Sequence, residues 1–301
     1  MEAAEGLIDM VKWRGREGSR NVEDRRGAAA AGLSGLAILI LRLVFSRFGI
    51  VGILVLVGGF FLLQANGVNV LALLEGRPAG QYQATAEDQE AYDFSSVVLA
   101  ETEKVWTDIF AQSGQQYPPP VMVIYTDQTQ TACGLGSAAA GPFYCPGDQR
   151  VYLDTRFFND LRTRFGAPGD FAAAYVIAHE VGHHVQTITG VADKVRQAQS
   201  RAGEVEGNRL QVMMELQADC YAGLWAHKAD RASGLLDEGD VEEALQAAAA
   251  IGDDTLQRNA GRRVSKESFT HGSAEQRVRW FMRGFETGEV GACDTFGASE
   301  L

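Results

Sequence analysis

Ala178-His179-Glu180-Val181-Gly182-His183-His184-Val185 is the stretch on which the reading of this chain turns. It contains H-E-x-x-H inside a helical pattern that Asp170 can cap and Gly190 can terminate. On a helix, residues 179 and 183 sit one turn and about 40° apart, so two imidazoles converge on one ion. Glu180 lies about 100° from His179, placed to reach a water on that ion rather than the ion itself. Ala174, Val181, Val185 and Ile188 form an apolar stripe roughly opposite the histidines. Two capped core histidines are the alternative, and they fit a motif centred in a full helical pattern less well.

A hydrolytic zinc site has three protein ligands and a water. His184 is rotated about 140° from His179 and points elsewhere, which leaves His227, His271 and the carboxylates as sources of a third ligand. Glu215-Leu216-Gln217-Ala218-Asp219 places two acids one turn apart on an otherwise apolar helix predicted over about 208–228. Such acids are costly to bury without a cation or donors. Glu215 can ligate the ion, and Asp219 can accept the second N–H of a ligating histidine. Taken alone, the pair also fits a solvated acidic face.

Outward from these helices, the pattern predicts an α+β chain, mainly helical, with a small sheet near the start of its body. Residues 94–110 read as a helix, Val121–Tyr125 and Val151–Leu153 as short strands, and 156–165 as a helix ending at Gly166-Ala167-Pro168-Gly169. Asp240 can cap an Ala-rich helix, and Ser273 with Gln276 fits a capping box for a last one. The loop 131–147 is rich in Gly and Ala. It either lets an extended peptide approach the backbone beside a strand edge or forms a flexible disulfide-bounded loop.

The chain has 39 acidic and 27 basic residues, a net charge of −12, which argues against a nucleic-acid partner. Residues 1–47 are nevertheless net basic. From Phe48 to Leu63 no residue is charged, and Arg42 and Arg47 are the only charges from Leu36. A retained membrane span is expected there in preference to a cleaved signal peptide or a buried helix. The expected organisation is a basic cytoplasmic tail at 1–35, a transmembrane helix at 36–64, a linker at 65–90 and a catalytic body at 91–301. The excess of basic residues before the span predicts a single-pass protein of the cell (inner) membrane, with the lipid bilayer as partner and the body periplasmic or extracellular. Four cysteines allow three pairings; Cys133–Cys145 and Cys220–Cys293 are favoured, with four unrelated thiols as the alternative.

H-E-x-x-H followed by E-x-x-x-D on a second helix resembles the gluzincin arrangement of zinc peptidases. More closely, the chain resembles the bacterial neutral zinc metallopeptidases, the YpfJ-like proteins. That resemblance is carried by Lys12 to Arg16, Asn21 to Gly27, Gly141 to Pro146, Ala178 to Val185, Glu215 to Cys220 and Thr270-His271-Gly272. It implies a zincin-like domain with one Zn2+ per chain, His179, His183 and Glu215 as ligands and Glu180 as catalytic base. A further resemblance, to a histidine after the metal motifs of related membrane gluzincins, implies that His271, with Arg277 near it, stabilises the oxyanion or orients a carboxylate. A surface histidine beside a helix cap is the alternative for His271. The function expected is hydrolysis of a peptide or protein substrate. Rival readings are a tethered zinc-containing binding module without turnover and an amidase acting on cell-wall peptides.

Overall fold

Thr85 opens the first long helix with a capping box: its hydroxyl accepts the Asp88 N–H, and the Asp88 carboxylate accepts the Thr85 N–H. This helix, α1 (Ala86–Gln112), therefore begins inside the expected linker and ahead of the predicted start at 94. The computed structural model describes residues 11–27, 47, 82–137 and 141–301. After β1 (Val22–Asp24) and α1 come β2 (Val121–Tyr125), β3 (Gln128–Thr131), β4 (Gly134–Ser137), β5 (Phe143–Cys145) and β6 (Arg150–Asp154). Eight helices are described in all: α1, then α2 (Phe157–Thr163), α3 (Asp170–Ile188), α4 (Val191–Gln199), α5 (Glu204–Ser233), α6 (Asp240–Ala250), α7 (Asp253–Asn259) and α8 (Ala274–Thr287). The result is a mainly helical α+β fold with small sheets.

Four strands form one sheet in the order β1-β2-β6-β5. β1, β2 and β6 are parallel, and β5 runs antiparallel along β6 as an edge strand. β3 and β4 make a separate antiparallel hairpin. Cys133, in the turn of that hairpin, is disulfide-bonded to Cys145 at the end of β5. A second disulfide, Cys220–Cys293, ties the chain after α8 back to α5. Both favoured pairings are therefore present.

The main core gathers around α3, whose apolar residues Phe171, Ala174, Val181 and Val185 are buried. α5 packs along α3, and α8 packs along α5. The α5–α8 crossing is close because Gly284 lies on the Cys220 carbonyl, where a side chain would overlap backbone. Ser273 and Gln276 form the predicted capping box of α8.

The amino-terminal residues depart from expectation. Val11 and Trp13 are buried in the main core, and β1 pairs with β2 through Val22–Met122 and Glu23–Val123. Their basic neighbours pair with acids of the body: Lys12 with Asp237 at 2.8 Å, Arg16 with Glu101 at 3.3 Å, and Arg14 with Glu90. The span expected at 36–64 lies outside the described residues. Among the described residues no helix is long and apolar enough to cross a membrane. The single-pass localisation is corrected accordingly. One crossing between residues 27 and 82 would place β1 and β2 on opposite sides of a bilayer, and they share a hydrogen-bonded ladder. The basic head is complementary charge for the acidic body, and residues 11–27 belong to that body.

Candidate metal centre

α3 and α5 bring their motifs together where their smallest residues meet. A Cβ added at Gly182 would sit 3.1 Å from the Ala218 Cα and 3.2 Å from its carbonyl oxygen. Gly182 lies within H-E-x-x-H and Ala218 within E-x-x-x-D, so the two helices approach closely at the level of the candidate ligands. Glu215 Oε2 lies 3.2 Å from His179 Nε2 and 3.5 Å from His183 Nε2. The ligand atoms of these three residues all fall within 4.8 Å of one another. Two nitrogens and a carboxylate oxygen converging from two rigid helices are a donor set suited to zinc with an open fourth position.

The outward side of each candidate ligand is also held. His179 Nδ1 lies 2.8 Å from Asp219 Oδ1, and His183 Nδ1 lies 2.9 Å from Gln186 Oε1. In both, Nδ1–H donates and Nε2 is left facing Glu215. Gln186 is itself fixed, donating to the Met214 carbonyl at 2.7 Å, and Gln211 donates to Glu215 Oε1 at 2.9 Å. Asp219 is fully buried. It accepts from the Tyr175 hydroxyl at 2.6 Å and from Arg277 at 2.9 Å (Nε) and 2.8 Å (Nη2). Of the two acids of E-x-x-x-D, Glu215 faces the imidazoles and Asp219 lies behind one of them.

Charge follows this arrangement. Burial resists ionisation of Glu215, but the facing imidazoles prevail and hold its carboxyl well below the ordinary range. Burial likewise opposes a charge on His179, and Asp219 and Glu215 overcome it, raising the imidazole to about 9. Burial pushes Glu180 upward, opposed by His183 and His179 and by the Tyr144 backbone N–H. Glu180 is thus a buried carboxyl raised from its usual value next to the candidate ligands.

His184 turns away from the candidate ligands, as its helical rotation predicts. Its Nε2–H donates to the Pro118 carbonyl at 2.7 Å and its Nδ1 faces the Tyr144 hydroxyl at 3.2 Å, so it braces β5 against the loop before β2. His227 is occupied by the Phe285 carbonyl, at 2.6 Å. His271 stands in a loop whose backbone is held by Asp253: Asp253 Oδ2 accepts the N–H groups of Thr270, His271 and Gly272. Gly272 packs on Leu216 and Val212, next to the Glu215 turn. The His271 side chain remains half exposed, and its Nδ1 lies 3.3 Å from Asp253 Oδ1. The Asp253 hydrogen bond raises its pKa against burial, and Glu215 adds to the rise.

Tyr175, Gln186 and Gln211 were not singled out in the sequence. Each lies three or four residues from a candidate ligand on the same helix face, which is the one signal that marks them.

The family model described as “Putative neutral zinc metallopeptidase” matches residues 11–296. The chain is similar to “Uncharacterized protein YpfJ” of Escherichia coli K12, 47% identical over 297 residues, covering 96% of this chain and 100% of that protein. It is also similar to “Uncharacterized protein Rv2575” of Mycobacterium tuberculosis H37Rv, 46% identical over 196 residues, covering 62% of this chain and 65% of that one. No solved structure matches it.

Proposed function

The chain belongs to the neutral zinc metallopeptidase family, and from that premise we propose that it hydrolyses peptide bonds at His179, His183 and Glu215 with Glu180 as general base. The observation that carries this reading is the convergence of the three ligand atoms beside a buried, upward-shifted Glu180. When bound, zinc supplies a Lewis acid that polarises the scissile carbonyl and acidifies a water. Glu180 takes the proton of the attacking water and delivers it to the leaving amine. Asp219 and Gln186 hold Nδ1 of each imidazole and so aim Nε2 inward. A purely structural site has no use for a base beside its ligands, which disfavours a binding module without turnover.

Substrate is held by β5. β5 is an edge strand of the sheet among the described residues, open on one side to an extended peptide, and its Tyr144 N–H acts on Glu180. His271, in the loop that leads into α8, is the residue this reading assigns to the developing oxyanion. The test uses the zinc-loaded full chain with an unstructured protein such as casein. Cleavage is expected, with loss on adding a nitrogen-donor chelator and recovery on returning zinc. His271→Ala should lower kcat with zinc content unchanged. Unaltered kinetics would remove His271 from the site, and no cleavage of a broad peptide library would contradict the activity.

A further inference from the structure

Three carboxylates meet at the start of α3, well away from the zinc ligands. Asp170 opens α3, nine residues before His179 and so roughly 13 Å along the helix. Asp240 and Glu243 lie in the first turn of α6. Each of the three brings one oxygen within 4.8 Å of the others. Backbone donors occupy part of the cluster: Val11 N–H donates to Asp170 Oδ1 at 3.3 Å, Asp237 N–H to Asp240 Oδ2 at 2.9 Å, and Phe171 N–H to Glu243 Oε2 at 3.0 Å. Asp240 is nonetheless 0% exposed, and its Oδ1 has no hydrogen-bond partner among the described residues. A fully buried carboxylate oxygen without a donor is expensive.

The surrounding charge does not balance it. Lys12 acts on Asp240 but lies on Asp237 and the Leu236 carbonyl, and Asp237 and Asp230 add negative charge around it. The starts of α3 and α6 contribute only about half a positive charge each. Burial accordingly pushes Asp170 and Asp240 up to about 6 and Glu243 up to about 7. The donors are all oxygen, with no histidine or cysteine among them, which selects a hard cation over zinc. Two oxygens each about 2.4 Å from one calcium ion are at most about 4.8 Å apart, which matches the cluster. Asp170 is only half-buried, leaving a side open for water ligands.

We propose that Asp170, Asp240 and Glu243 hold a divalent cation of the calcium class, which pins the start of α3 to α6 and to the segment at Val11. The cation screens three buried carboxylates and fixes the helix that carries both histidines. Its binding is independent of the zinc ligands.

The test is equilibrium dialysis of the zinc-loaded full chain against about 1 mM Ca2+, followed by elemental analysis and thermal unfolding. One calcium per chain in addition to the zinc is expected, with Tm raised by several degrees over the calcium-free protein. Asp240→Asn keeps an acceptor for the Asp237 N–H and should lose calcium and the Tm response while zinc stays at the wild-type level. Glu243→Gln provides the same readout at a second position. Wild type that retains no calcium and shows no Tm response overturns the proposal, because the carboxylates are then neutralised by protons alone. A pH series separates the two. A carboxyl whose folded pKa is raised contributes stability at low pH that is lost as pH rises through that pKa. The calcium-free chain should therefore lose stability as pH rises from about 4, the unfolded carboxyl range, to about 7, where the raised groups are ionised, and calcium should suppress that loss. An equal loss with and without calcium also overturns it.

Discussion

Glu180→Gln, purified as the full chain, is expected to retain its zinc and lose turnover by about 10²–10⁴-fold, the usual contribution of a positioned proton-transfer group. Glutamine preserves the shape of the side chain and an acceptor for the Tyr144 N–H but removes the base. Glu180 is absent from the convergent ligand group, so the three donor atoms are untouched by the change. Glu215→Gln is the contrasting variant, since it neutralises the carboxylate that faces both imidazoles and should lose much of the zinc with the activity. Elemental analysis and a casein assay on the two variants separate the roles. Zinc lost from Glu180→Gln and kept by Glu215→Gln would reverse them.

Arg277→Met should be the most destabilising single change at the centre, by about 3–5 kcal/mol, and should lower zinc affinity about 10–100-fold. Arg277 is 2% exposed and makes two bonds to Asp219, which is 0% exposed. Truncating the guanidinium leaves a buried carboxylate with only Tyr175 and His179 as donors. The pH dependence has a definite sign. Burial raises Asp219, but Arg277 and His179 prevail and hold it below its ordinary value, so its stabilisation exists above the unfolded pKa and fades as pH falls through the lowered one. Without Arg277 the carboxyl takes up a proton more readily, and the cost of the variant should shrink in acid. Urea unfolding across pH checks this. Adding Asp219→Asn to Arg277→Met should recover part of the lost stability, whereas strictly additive losses would mean that the pair is not coupled.

What the sequence made legible is what helical geometry fixes locally. Residues 179 and 183, and residues 215 and 219, share faces by spacing alone, and the Ser273–Gln276 box announces the start of α8. The close approach that joins the two motifs depends on Gly182 and Ala218, two small residues whose partnership spans 36 positions and has no local pattern. Gln186 and Gln211 looked like ordinary polar helix residues because nothing local distinguishes a buried amide from a solvated one. β1 was missed for a different reason. Three residues, Val22-Glu23-Asp24, among many charges show no period-2 signal, and the strand exists because β2 offers it an edge. Reading residues 12–26 as a topology signal then followed from net charge, whereas Lys12 and Arg16 spend that charge on Asp237 and Glu101. The acidic cluster at Asp170 was visible only as two helix caps, because α3 and α6 begin 70 residues apart.

Zinc K-edge X-ray absorption on the purified, zinc-loaded full chain tests the central claim most directly, because it reads the ligand atoms independently of any substrate. The spectrum is expected to show two imidazole nitrogens at about 2.0–2.1 Å with carboxylate and water oxygens at about 2.0–2.2 Å, and no sulfur, since all four cysteines are held in disulfides. The imidazole contribution should fall when either His179 or His183 is replaced. A spectrum showing sulfur ligation, or one unchanged by loss of both histidines, would contradict it.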